Sequence, residues 1–208
     1  PDGARIETVL IPEKERATVC VSSQVGCKFK CRFCVSGQGG WVRDLGVSEI
    51  VNQVLTVMDD NAPRQITNIV FMGIGEPLDA LEPVLAAIDI LADEAGCALS
   101  RRKIAISTCG LSDKIEELAR RDAGVKLSVS LHAADDKKRA QIMPVARAYP
   151  LAGLMEALKR YSRQGEYPVS FEYILLAGFN TTVRDADKLA ALVKGIPCKV
   201  NLIPCNAS

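Results

Sequence analysis

The chain has 208 residues, 48% of them hydrophobic and 25% charged, the proportions of an ordinary globular protein with room for one substantial core. Its net charge of +1 excludes a global basic field for nucleic acid. No apolar run is long enough to span a bilayer and no signal peptide opens the sequence, so a cytoplasmic protein with no membrane partner is expected.

Apolar runs rich in β-branched residues alternate with stretches of helical period. An extended piece, Ile6–Ile11, lies before Pro12 and is expected to pair with the first of six strands, Thr18–Ser22. Ile50, Val51, Val54, Leu55 and Met58 then form a helical stripe after a Ser48 cap. The second strand is Ile66–Met72, followed by a helix carrying Leu81, Val84, Leu85, Ile88 and Leu91, with Pro83 near its start and Gly96 past its end. Strand Lys103–Ser107 precedes a short helix capped by Ser112, and strand Lys126–Leu131 precedes a helix marked by Leu151, Leu154, Met155, Leu158 and Tyr161. Gly165 stops that helix. Strand Val169–Leu175, a helix through Ala186, Leu189, Leu192 and Val193, a stop at Gly195 and strand Lys199–Ile203 complete the pattern.

Six strands alternating with helices require a parallel sheet, because βα repeats cross over right-handedly. The expected fold is one α/β domain over residues 1–208, an open partial (β/α)6 barrel with a short N-terminal β extension, read as a monomer. In such folds chemistry gathers where strands end at their C-terminal edge. Basic clusters at Lys28/Lys30/Arg32, Arg101/Arg102/Lys103, Arg120/Arg121 and Lys137/Lys138/Arg139 read as solvated faces and helix ends.

Eight cysteines and a single histidine, His132, direct attention to thiol or metal chemistry. Cys27, Cys31 and Cys34 are spaced C-x3-C-x2-C on a loop a few residues after the first barrel strand. Three thiolates on one loop can each take one iron of a cubane cluster, leaving the fourth iron open to a small molecule. A structural zinc site is the competing reading, with a distant cysteine or His132 as fourth ligand. Zinc sites favour paired C-x2-C or histidine spacings, which this loop lacks. Basic residues in the loop suit the negative charge of a thiolate-bound cluster.

The motif resembles the radical S-adenosylmethionine superfamily, and further blocks narrow the likeness. Residues Cys20 to Cys27 (CVSSQVGC), Met72 to Leu78 (MGIGEPL), Ser128 to Ala133 (SVSLHA) and Asn201 to Asn206 (NLIPCN) resemble the RlmN/Cfr family, RNA adenosine methyltransferases acting on 23S ribosomal RNA. One branch of that family methylates adenine C2 and in bacteria also acts on some tRNAs; the other methylates C8. The two branches share every motif quoted, with the C2 branch preferred. The resemblance implies that Cys27, Cys31 and Cys34 bind a 4Fe–4S cluster. It further implies that Gly75, Glu76, Ser107, Ser130, Leu131, His132 and Asn206 contact S-adenosyl-L-methionine. It also implies a reductant such as flavodoxin or ferredoxin. Taken singly, Gly73-Ile74-Gly75 reads as a turn and His132 as a core histidine; only jointly with the cysteine loop do they read as a pocket.

Adenine C2 is electron-poor and no nucleophile, so polar methyl transfer does not suit it and a cofactor-derived radical does. In the family a methyl group is first placed on a C-terminal cysteine, hydrogen is taken from that S-methyl, and the carbon adds to adenine. A second cysteine then releases the product by forming a disulfide. The resemblance gives that resolving role to Cys20, otherwise a plain strand cysteine, and the proton-acceptor role to Glu7, a carboxylate in an apolar stretch. The family's methyl-carrying cysteine and its N-terminal accessory domain have no match in these residues. On that reading the chain cleaves S-adenosylmethionine but does not methylate RNA alone. Cys205 and Cys109 depart from the family pattern, Cys198 is typical of it, and Cys97 has no functional account. Other readings are a radical enzyme with a different substrate, an iron–sulfur electron carrier, or a zinc-stabilised scaffold.

Overall fold

A computed structural model describes residues 2–205, which form two compact units. The first contains residues 2–30, Cys34–Ser107 and Ala123–Lys126; the second contains Cys31–Phe33, Thr108–Asp122 and residues 127–205.

The first unit opens with β1 (Val9–Pro12), antiparallel to β2 (Ala17–Cys20), with Val9 opposite Cys20. This is the N-terminal extension that the sequence predicts. A hairpin of β3 (Gln24–Gly26) and β4 (Trp41–Asp44) follows, and nothing in the apolar pattern announced it. The chain then enters α1 (Val47–Asp60), β5 (Asn68–Phe71), α2 (Leu81–Ala92) and β6 (Ile104–Thr108). β5 pairs parallel with both β2 and β6, as helical crossovers dictate. Val19, Ile69, Phe71, Ile104 and Ile106 from the strands are fully buried, as are Ile50, Val54, Val84, Ile88 and Leu91 from the helices. Each contributes roughly 1.5–3 kcal/mol over an exposed position.

The predicted Ser48 cap is not the one used. Gly46 caps α1, and the Glu49 carboxylate reaches back to accept its N–H at 2.8 Å. Arg43 holds that carboxylate through Nη1 and Nη2 at 2.7 and 2.8 Å, so the helix begins earlier than serine propensity suggests.

The second unit comprises α3 (Ser112–Arg121), β7 (Lys126–Ser130), α4 (Asp136–Ile142), α5 (Leu151–Gln164), β8 (Val169–Leu175), α6 (Val183–Val193) and β9 (Cys198–Pro204). Strands β7, β8 and β9 are parallel, with Ser128 opposite Ser170 and Tyr173 opposite Leu202. Ser112 is the first helical residue of α3 rather than its cap; Leu111 holds the cap position and accepts the Ile115 N–H at 2.9 Å. Asp135 caps α4 by accepting from the backbone N–H groups of Lys137 and Lys138. One basic cluster is misread by the sequence: Arg139 of α4 is fully buried, not on a solvated face. Among the described residues no helix is long and apolar enough to cross a membrane.

Candidate active site

In the first unit the start of the cysteine loop is anchored by backbone. Gly26 adopts φ +77°, and the next amide, Cys27 N–H, donates to Gly40 O at 2.9 Å. A Cβ on Gly26 would stand 1.8 Å from Gly40 O, so only glycine permits this approach. Cys27 is half-buried, and burial pushes its thiol up from the ordinary value. The Phe29 N–H on the sulfur opposes that, while the charges of Glu76, Cys34 and Asp79 add to it. Such a thiol holds its proton against water but yields it to a metal ion, whose charge outweighs burial and the nearby carboxylates. Lys28 pairs with Asp79 at 2.6 Å and lies over the Trp41 ring, 5.6 Å from its centroid.

Gly75 and Glu76 are held by the segment before this loop. Ile74 O accepts from Ser23 N–H and Gln24 N–H at 2.9 and 3.2 Å. Gln24 Oε1 accepts the Glu76 N–H at 2.9 Å, while its Nε2 donates to Asp44 and Asp79. Gly75 has φ +109°, and a Cβ there would meet Gln24 Cβ at 2.6 Å. Glu76 is buried, and its carboxylate accepts the Leu78 N–H at 3.1 Å. Ser23 Oγ, also buried and beside Gly75, has no hydrogen-bond partner among the described atoms. A buried hydroxyl left this way favours a polar ligand at its side.

Cys20 ends β2 half-buried; burial pushes its thiol up, against a weaker hydrogen bond from the Met72 N–H. Glu7 lies before β1 with an exposed side chain, and its carbonyl accepts from Ser22 Oγ at 2.7 Å. Ser107, on β6, donates its hydroxyl to Phe71 O of β5 at 2.6 Å. Gln53 of α1 binds both the N–H and the C=O of Ser22, at 2.8 and 3.0 Å, like one more strand residue. Sequence reasoning missed Gln24 and Gln53. A glutamine inside an apolar helical stripe was the available signal.

In the second unit, Ser130, Leu131 and His132 close β7. Leu131 N–H and His132 N–H both donate to Glu172 O, at 3.0 and 3.2 Å. His132 has φ +57° and is 4% exposed, and its Nδ1 accepts the Ile174 N–H at 3.0 Å. The imidazole proton therefore sits on Nε2. Phe33 meets the ring edge-on, with centroids 4.5 Å apart. Burial first, then the Arg139 charge, lowers the His132 pKa from 6.5 to about 3. The unfolded chain binds this proton below pH 6.5 and the folded one does not, so stability present above pH 6.5 is lost as pH falls toward 3. A His132→Asn variant should lose less stability between pH 7 and 5, by about 2 kcal/mol. Urea denaturation of both proteins at the two pH values checks this; parallel losses sink it.

None of the eight cysteines forms a disulfide. Among the described residues no three His, Cys, Asp or Glu side chains already stand together as a metal site. The donor set nonetheless suits a cluster: three thiols on one loop, half-buried, one taking a backbone N–H on its sulfur. Cys109 is buried, Cys97 and Cys198 are half-buried, and Cys205 is exposed. Asn206, predicted to contact the ligand, lies outside the described residues.

Comparison with known proteins shows the family of the chain. The family model described as the radical SAM superfamily matches residues 21–192. The dual-specificity RNA methyltransferase RlmN of Desulfotalea psychrophila is 48% identical, over all of this chain and 59% of that protein. Its counterpart in Syntrophobacter fumaroxidans is 50% identical, over 99% of this chain and 60% of that protein. The chain thus spans about three-fifths of the length of the curated relatives it matches. The crystal structure of a radical SAM methyltransferase from Sphaerobacter thermophilus superposes with a TM-score of 0.95 at 44% identity, covering 99% of this chain and 61% of that one. The chain therefore belongs to the radical SAM superfamily, with its open partial (β/α)6 barrel and its cofactors, a 4Fe–4S cluster and S-adenosyl-L-methionine.

Proposed function

We propose that this chain is the catalytic core of a radical RNA methyltransferase that modifies adenosine C2 in 23S ribosomal RNA and in tRNA, with flavodoxin or ferredoxin as reductant. The observation that carries the reading is local. The cysteine loop and the Gly75-Glu76 turn are joined through Ser23, Gln24 and Ile74, so two elements distant in sequence are built as one. Similarity to RNA methyltransferases across the whole chain supports the substrate class. A cytoplasmic setting suits eight unbridged cysteines.

Cys27, Cys31 and Cys34 are the residues that would hold the cluster. Bound beside S-adenosylmethionine, the cluster would supply one-electron, radical chemistry. Gly75 and Glu76, with Ser23 beside them, receive the methionine end: the buried carboxylate meets an ammonium, and the unpartnered hydroxyl gains an acceptor or donor. Ser107 presents a polar edge at the end of β6, and Ser130, Leu131 and His132 do so at the end of β7. The neutral imidazole offers Nε2–H as a donor and cannot compete for protons near neutral pH. Asn206 is assigned the last such contact. Cys20, protonated at rest, serves as the resolving thiol, and its half-burial protects it from adventitious oxidation. Glu7, exposed before β1, is assigned the proton released from adenine.

Glu76→Gln should weaken S-adenosylmethionine binding by about tenfold or more while the cluster stays, because a charge-assisted contact is lost and no sulfur is touched. Titration calorimetry on the cluster-loaded protein reads this directly; equal affinity would remove Glu76 from the pocket. The activity test is an anaerobic assay of the whole gene product with ribosomal RNA fragments, tRNA and labelled S-adenosylmethionine. The expected product in nuclease digests is 2-methyladenosine. An 8-methyl product would move the regiochemistry to the other branch, and cofactor cleavage without RNA methylation would overturn the RNA assignment.

A further inference from the structure

Arg139 is 0% exposed, yet among the described residues its guanidinium binds no carboxylate. Its four acceptors are backbone carbonyls. Nη2 donates to Cys109 O at 2.7 Å and Ser130 O at 3.2 Å, Nε to Leu131 O at 3.2 Å, and Nη1 to Tyr149 O at 3.3 Å. The neighbouring acid, Asp136, accepts the Leu151 N–H at 2.8 Å instead. Burying a guanidinium without a counter-ion costs several kcal/mol, and an apolar side chain would pack this space more cheaply. The arrangement calls for a role that needs the charge.

The Cys31–Phe33 segment of the same unit meets the same helix. Arg32 N–H donates to Ile142 O, at the C-terminal end of α4, at 2.9 Å, and Phe33 meets His132 edge-on at 4.5 Å. The Cys31–Phe33 segment is therefore docked on the helix that carries Arg139 and on the turn that Arg139 clamps. Burial pushes the guanidinium below its ordinary value, while Cys109, Cys31 and Asp136, when ionised, hold it up. The guanidinium stays protonated throughout.

We propose that Arg139 is a positioning residue with two roles: its fork fixes the carbonyls that end β7, setting where Ser130, Leu131 and His132 face the ligand, and its charge offsets the Cys31 thiolate of the bound cluster. This rests on the reading of Cys31 as a cluster ligand. The first role needs the planar five-donor geometry, which lysine lacks; the second needs only the charge, which lysine retains. Removing a fixed positive charge near a cluster disfavours the added electron and lowers the reduction potential.

The test is a dithionite reductive titration, followed by electron paramagnetic resonance, of the reconstituted wild-type, R139K and R139Q proteins, with S-adenosylmethionine affinity measured on each. R139Q should shift the cluster potential to more negative values, and R139K should stay near wild type. R139K should still bind S-adenosylmethionine about tenfold more weakly, because the fork is lost. A folded R139Q with the wild-type potential, or a folded R139K with the wild-type affinity, overturns the proposal. Should R139Q fail to fold, the R139K affinity decides alone. If the wild-type protein itself takes up no cluster, the ligand reading fails, and the proposal with it.

Discussion

Alanine at Cys27, Cys31 or Cys34 should each abolish the cluster's visible absorbance and reduce cleavage of S-adenosylmethionine to background. On the proposed ligation three thiolates serve four irons and no spare ligand remains on the loop, so loss of one would leave two irons unheld and the cubane would fall apart. The other cysteines are poor substitutes: Cys20 lies at the end of β2 and Cys109 is buried beyond β6. Iron and sulfide analysis after anaerobic reconstitution should give about four of each in the wild type and little in the variants. Stoichiometric zinc without iron in the wild type would falsify the cluster reading and favour a structural site.

The second large effect concerns geometry rather than ligation. Gly26→Ala should destabilise the protein by about 3 kcal/mol or more, from left-handed strain and a collision with Gly40 O that the backbone must move to relieve. For a domain of this size that lowers the melting temperature by roughly 6–12 °C. Cluster occupancy should fall as well, because the carbonyl that is displaced is the one that accepts the Cys27 N–H. Gly40→Ala is the matched control. Gly40 has φ +75° but nothing within 4 Å of a Cβ, so it carries the strain without the collision. Scanning calorimetry should rank wild type above Gly40→Ala and Gly40→Ala above Gly26→Ala. Equal losses in the two variants would show that strain alone matters and that the Gly26–Gly40 approach does not anchor the loop.

Much of this protein was legible along the chain because the relevant physics is local. Alternating apolar runs such as Val169–Leu175 fall within one or two residues of the observed strands, since burial on a pleated surface repeats every second residue. The C-x3-C-x2-C spacing carries its own chemistry, because three thiols on one short loop are within reach of one cluster. Family likeness supplied roles for Glu7, Cys20 and Ser107 that no periodicity could give. The helix starts at Gly46 and Leu111 went astray because Ser48 and Ser112 look like caps locally, while an Arg43–Glu49 pair and a backbone bond set the actual ends.

Tertiary structure decided the rest. The β3–β4 hairpin is short and follows no clear alternation, so only the pairing of Gln24, Val25 and Gly26 with Asp44, Arg43 and Trp41 defines it. His132 is a neutral Nε2–H donor because an amide from Ile174, forty-two positions on, occupies Nδ1. Arg139 stands in a run of three basic residues, and charge patterning assigns all three to solvent. Its burial depends on carbonyls at Cys109, Ser130, Leu131 and Tyr149, which converge only when separate strand ends and loops are brought together. A sequence reports how much a side chain resists leaving water. Whether enough acceptors gather to offset that cost is a property of the folded arrangement, and no window along the chain contains it.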